Sequence, residues 1–167
     1  MTKCILLISI ATTALAISPA ALAQNTSALN MIVGPEATFA SAFSATAMTA
    51  ADSRFGGFGG TTAFTYKIRT SQSGGTGSIT VQVSPFDTGG PSVGDLAYTC
   101  TAPSSGTPCS SSMAASTSVA TTVVSFGADA HSADAGDAGS AIWALVDRTG
   151  VKTGSYSSTA TFTISAT

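Results

Sequence analysis

From Tyr156 to Ala166 the chain alternates without a break. Tyr156, Ser158, Ala160, Phe162, Ile164 and Ala166 fill the even positions, and every odd position is Ser or Thr. Side chains of an extended strand point to opposite faces in turn, so a period of two predicts one buried face and one face covered by hydroxyls. Phe64, Tyr66 and Ile68 alternate with Thr65, Lys67 and Arg69 to predict a second strand. Ile79, Val81 and Val83 against Thr80, Gln82 and Ser84 predict a third. Between these two, the Gly-rich run from Ser71 to Gly77 reads as a hairpin loop.

Other segments are shorter or less regular. Leu96–Cys100 and the Val/Thr-rich run Val119–Phe126 read as strands, and Ala141–Val146, apolar on both faces, reads as a central strand. Leu29, Met31 and Val33 alternate with Asn30 and Ile32 until Gly34-Pro35 stops the run. Between Glu36 and Ala51 two periods compete. Phe39 and Phe43 are four apart and Pro35 suits a first helical position, yet Ala37, Phe39, Ser41 and Phe43 also alternate. Strand is the reading consistent with the rest of the chain. Arg54 to Gly60 reads as a flexible loop with two aromatic anchors, Phe55 and Phe58. Seven or eight short strands separated by Gly/Pro/Ser turns predict an all-β fold, an immunoglobulin-like antiparallel β-sandwich, with a small β-barrel as the alternative.

The amino terminus bears on where such a fold works. Met1-Thr2-Lys3 is a short basic start, Cys4 to Ile17 is apolar, and Ala21-Leu22-Ala23 has the small-x-small pattern of a processing site. This predicts a signal peptide at residues 1–23, a single β-sandwich domain at 24–167, and a location in the periplasm, at the cell surface or outside the cell. The apolar run is shorter than the roughly 20 residues a membrane span requires, and no later run resembles one. Only 8% of residues are charged, against about 25% in ordinary globular proteins. Eight Phe, three Tyr and many Val, Ile and Thr argue against disorder, so the polar surface consists of hydroxyls. After residue 23 the cations are Arg54, Lys67, Arg69, Arg148 and Lys152, which form no basic run. Nucleic-acid binding, which needs a concentrated basic face, is set aside. Cys100 and Cys109 are an even pair in an oxidising compartment and are expected to form a disulfide closing a short loop.

Motifs of chemical interest have plainer explanations. Gly90-Pro91-Ser92-Val93-Gly94 fits a nucleophile-elbow pattern, but no helix follows it and Pro91 suits an ordinary turn. Asp129, His131, Asp134 and Asp137 are candidate Ca²⁺ or Zn²⁺ ligands, and Ser92, His131 and an aspartate a candidate triad. Their spacing does not match the EF-hand ligand pattern and no glutamate closes the site, so a solvated Asp/Gly/Ser loop is the expected reading, with no metal and no cofactor. The glycines from Gly56 to Gly60 lack a phosphate-binding spacing. Trp143 and Tyr156 are expected in the core.

The closing segment, from Gly154-Ser155-Tyr156 to Phe162-Thr163-Ile164, resembles the last strand of bacterial secreted sandwich modules, including chaperone–usher pilin-like subunits. That resemblance implies an immunoglobulin-like sandwich completed by a strand from a neighbouring subunit, with Leu29, Met31 and Val33 as the candidate donor strand. Pilin disulfides usually lie early in the chain, whereas Cys100 and Cys109 lie past its middle. Trp143-Ala144-Leu145 is similar to a W-x-L signature of some surface-attached domains. The function expected is therefore non-enzymatic: a secreted structural or adhesive module that pairs through β-edges with like subunits or other surface proteins. The alternatives are an extracellular carbohydrate- or small-ligand-binding module using Phe55, Phe58 and Phe86, and a secreted hydrolase using Ser92 or His131.

Overall fold

The computed structural model describes residues 27–51, 54–101 and 104–167; the expected signal peptide at residues 1–23 lies outside them. Among the described residues ten strands are formed: β1 (Glu36–Phe39), β2 (Thr49–Ala50), β3 (Phe58–Arg69), β4 (Gly77–Val83), β5 (Leu96–Cys100), β6 (Thr107–Pro108), β7 (Met113–Ala114), β8 (Thr121–Phe126), β9 (Asp137–Leu145) and β10 (Ala160–Ala166). One short 3-10 turn, Val93–Asp95, precedes β5. All pairings are antiparallel and make two sheets. The first runs β1-β3-β9-β5-β7, with β2 also on β3; the second runs β10-β4-β8-β6. This is a β-sandwich, as the alternation predicts. Residues 27–32 belong to a unit separate from Val33–Thr167 and contain no strand.

Period-two burial builds the core. Phe64, Tyr66 and Ile68 of β3, Ile79, Val81 and Val83 of β4, and Trp143 and Leu145 of β9 are all buried. Each such side chain contributes about 1.5–3 kcal/mol by leaving water. On β8 the period breaks, and Val123 and Val124 are both buried. The cause is a bulge: Val124 pairs with Ile79 and Thr122 with Thr80, so Val123 is the extra residue. Gly139 sits opposite Phe64, and a Cβ there would lie 2.6 Å from the Phe64 ring. A larger residue at Gly139 would have to displace that ring.

Four local expectations are corrected. The Ser71–Gly77 connection is an arch and not a hairpin, because β3 pairs with β1, β2 and β9 while β4 pairs with β8 and β10. Phe58 to Gly60 belong to β3 and not to a loop, since they pair with β9 opposite Leu145, Ala144 and Trp143. Between residues 36 and 51 the chain is strand only at β1 and β2, and residues 40–48 form an irregular wall between them. Finally, β9 is central, but Ile142 on its outer face is 42% exposed, so one face of that strand lies open. Leu29, Met31 and Val33, the expected donor residues, are exposed and form no strand.

Candidate functional site

A sandwich exposes sheet edges, and here the edges differ. The second sheet ends on one side at β6, only two residues long. Thr107 and Pro108 pair with Ser125 and Val124, and Cys109 N–H donates to the Val123 carbonyl (3.0 Å). Pro108 lies between the two bonded residues and presents no N–H outward, so no further strand can follow. The Cys100–Cys109 disulfide, with Cα atoms 5.5 Å apart, pins this cover in place. The first sheet ends at β1, whose Glu36 pairs with Arg69 (3.3 Å), and at the two-residue β7. These are short or charged edges that discourage pairing.

The edge at β10 has none of those protections. It is seven residues long and contains neither charge nor proline. Its register with β4 is uniform, from Ala160 opposite Val83 to Ala166 opposite Gly77. At the two ends, Ser84 N–H donates to the Thr159 carbonyl and Thr167 N–H to the Thr76 carbonyl, both at 2.8 Å. Bonded residues alternate along an antiparallel pair, so Thr161, Thr163 and Ser165 also face β4. The N–H and C=O groups of Ala160, Phe162, Ile164 and Ala166 therefore point away from it. Among the described residues no strand pairs with them. β1 lies near β10 where the sheets meet, but its ladder is with β3.

Beside this edge the sandwich is open. A groove of about 670 Å³ lies between residues 43–48 on one side and 156–160 on the other. Its apolar lining includes Phe43, Met48, Leu96, Trp143 and Phe162. Phe43 stacks on Phe162 with ring centroids 4.8 Å apart. The wall is tied to the core by the Thr46–Thr62 hydroxyl contact at 2.6 Å, and Trp143 Nε1 donates to Thr62 Oγ1 at 2.8 Å. Phe43 was legible only as half of an ambiguous period; its place in the groove comes from the chain leaving β1 at Phe39.

The residues with catalytic or ligating potential are dispersed. Ser92 Oγ accepts the Gly94 N–H (3.1 Å) and caps the turn before β5. His131 lies on another loop, bridged to Arg69, and its Nδ1 donates to the Asp129 carbonyl (2.9 Å). Among the described residues no three His, Cys, Asp or Glu converge as a metal site. Asp134 and His131 line a polar recess of about 390 Å³ with Glu36, Lys67 and Arg69. Of the loop aromatics, Phe55 is 68% exposed, whereas Phe58 and Phe86 pack against the core. Trp143 is buried, and Tyr156 is half-buried with its hydroxyl donating to the Lys152 carbonyl.

Asp137 departs from the solvated loop expected of residues 129–137: it is buried at the start of β9. Burial pushes its carboxyl up, but the Ser105 hydroxyl, the Ala133 N–H, the Ser104 hydroxyl and the Ser105 N–H outweigh that and hold it below the usual range. Tyr66 donates to the Ser105 carbonyl (2.8 Å), and its own phenol is pushed up, chiefly by burial. The carboxylate thus clamps the disulfide loop to β3 and β9. A depressed folded-state value means this stabilisation is complete above the unfolded value and is lost as pH falls through the folded one. Asp137→Asn should therefore cost about 1–3 kcal/mol at pH 7. In urea titrations, the gap between variant and parent should close at pH values well below 3.8, the ordinary carboxylate value.

The fold defines a disulfide-bonded β-sandwich module, at the level of architecture alone. Comparison with protein-family models, curated proteins and solved structures finds no match to this chain. Among the described residues no helix is long and apolar enough to cross a membrane.

Proposed function

We propose that this chain is a secreted structural or adhesive module that associates by pairing strands at the β10 edge. The observation that supports it most is the outward edge of the seven-residue β10, where among the described residues no strand pairs with the backbone groups of Ala160, Phe162, Ile164 and Ala166 and which is free of charge and proline. An exposed edge of this kind is a template for another strand, and natural sheets without such a role protect it. The groove beside it adds a reason: an added strand would place alternate side chains over Phe43, Trp143 and Phe162. Desolvating hydroxyl-bearing neighbours such as Thr161 and Thr163 costs little compared with desolvating ions. Two segments of a like subunit have the required alternation: the one with Leu29, Met31 and Val33, and β10 itself.

The test is the mass of the purified protein as its concentration is raised, read by light scattering behind size exclusion. A shift from one chain to a defined multiple is expected. A strictly monomeric protein at the highest attainable concentration overturns the reading. The groove also favours a second reading, a small apolar-ligand module. Binding of an apolar fluorescent probe that is lost in Phe43→Ala, with the mass staying at one chain, would select it.

A further inference from the structure

We propose that the strand paired with β10 is β10 of a second copy, running antiparallel across a twofold axis centred on Thr163. This inference rests on the edge-pairing reading and names its partner. Two requirements must be met together, and the sequence of this strand meets both. The first is hydrogen-bond phase: only Ala160, Phe162, Ile164 and Ala166 turn their N–H and C=O groups outward, so these four must oppose one another. The second is facing: Phe162, Ile164 and Ala166 lie on the half-buried side, while Thr161, Thr163 and Ser165 are exposed. A strand that satisfied one requirement and not the other would bring its apolar face to the hydroxyl side.

Setting Thr163 opposite its own copy pairs Ala160 with Ala166, Thr161 with Ser165 and Phe162 with Ile164. Every outward-pointing residue then meets another, apolar residues meet apolar ones, and hydroxyls meet hydroxyls. This is the antiparallel register that overlaps the whole strand. The second copy's Ile164 sits opposite Phe162, at the rim of the groove. The two four-stranded sheets join into one, and the arrangement closes on itself. A twofold contact uses the same patch on both copies and grows no further. The opposite edge cannot extend the sheet, since Pro108 and the Cys100–Cys109 disulfide hold β6 over β8. The product is a discrete dimer and not a fibre.

The test is cross-linking through Thr163, an exposed residue whose side chain leaves the core untouched. Opposed residues of a non-bonded antiparallel pair have Cα atoms about 4.5 Å apart, within the range a disulfide spans. Thr163→Cys should oxidise to a covalent dimer. Thr161→Cys alone should not, but should cross-link when mixed with Ser165→Cys. Thr163→Lys places two ammonium groups face to face and should weaken the dimer about tenfold or more. Mixing it with Thr163→Glu should restore the dimer. Three results would overturn the inference. The first is a dimer that neither cross-links in Thr163→Cys nor weakens in Thr163→Lys, but dissociates when residues 24–34 are deleted. That result would retain edge pairing and assign the strand to the amino-terminal segment. The second is self-cross-linking of the Thr161→Cys variant, which would replace the register. The third is a protein that is monomeric in every form, which would remove both the inference and the reading beneath it.

Discussion

Trp143→Ala is expected to lower unfolding stability by about 3–5 kcal/mol, the range for deleting a buried large aromatic side chain. Trp143 is buried on the central strand β9, with its ring 5.3 Å from Tyr98 and 6.5 Å from Phe162. Its loss removes contacts with both sheets at once. It also leaves Thr62 Oγ1 without its indole donor, and Thr62 is the residue that anchors Thr46 in the groove wall. Trp143→Phe keeps most of the ring contact and drops the hydrogen bond, so a smaller loss of about 1–2 kcal/mol is expected. Since the chain has a single Trp, both variants should be followed by circular dichroism in a denaturant titration. Parent-like midpoints for Trp143→Ala would mean that the two sheets do not share the interior described here.

Replacing both cysteines, Cys100→Ser with Cys109→Ser, should cost about 2.5–3 kcal/mol, the stabilisation expected from closing a loop of about ten residues. The larger consequence is local. β6 holds β8 through two paired residues and the Cys109 N–H, so freeing the loop uncovers the second edge of that sheet. With both edges open, sheets can add at either end, and a closed contact becomes an extending one. The double variant should thus be less stable by chemical denaturation and also form larger species at concentrations where the parent does not. A variant that loses stability but keeps the parent's size would show that the Asp137–Ser105 clamp suffices to hold β6.

Much of this architecture is legible in the chain because burial follows a period of two. In β3 and β4 the residues that alternate as apolar are the ones the sandwich buries, and in β10 Phe162, Ile164 and Ala166 are half-buried. What the period does not carry is which strand neighbours which. Residues 70–76 reverse the chain equally well within a sheet or between sheets, so an arch is not distinguishable from a hairpin by its glycines. Nor does the period survive the bulge at Val123, where the extra residue lets two consecutive valines face inward. Asp137 shows a different limit. A carboxylate in an Asp/Gly/Ser loop is expected in water, and its burial depends on donors from Ser105, distant in the sequence. The free edge of β10 was half visible: its lack of charge and proline is plain in the sequence, but its position at the end of a sheet required the pairing. Phe43 entered the groove because the chain leaves β1 after Phe39 and folds back over β3.

Amide exchange along β10, resolved residue by residue by nuclear magnetic resonance at low and high protein concentration, tests the open edge most directly. In dilute protein Thr161, Thr163 and Ser165, bonded to β4, should exchange slowly, while Phe162 and Ile164 should exchange fast. On concentration, Phe162 and Ile164 should become protected as well. Protection of all five in dilute protein, or continued fast exchange of Phe162 and Ile164 in concentrated protein, would contradict an edge that is free in one chain and paired between two.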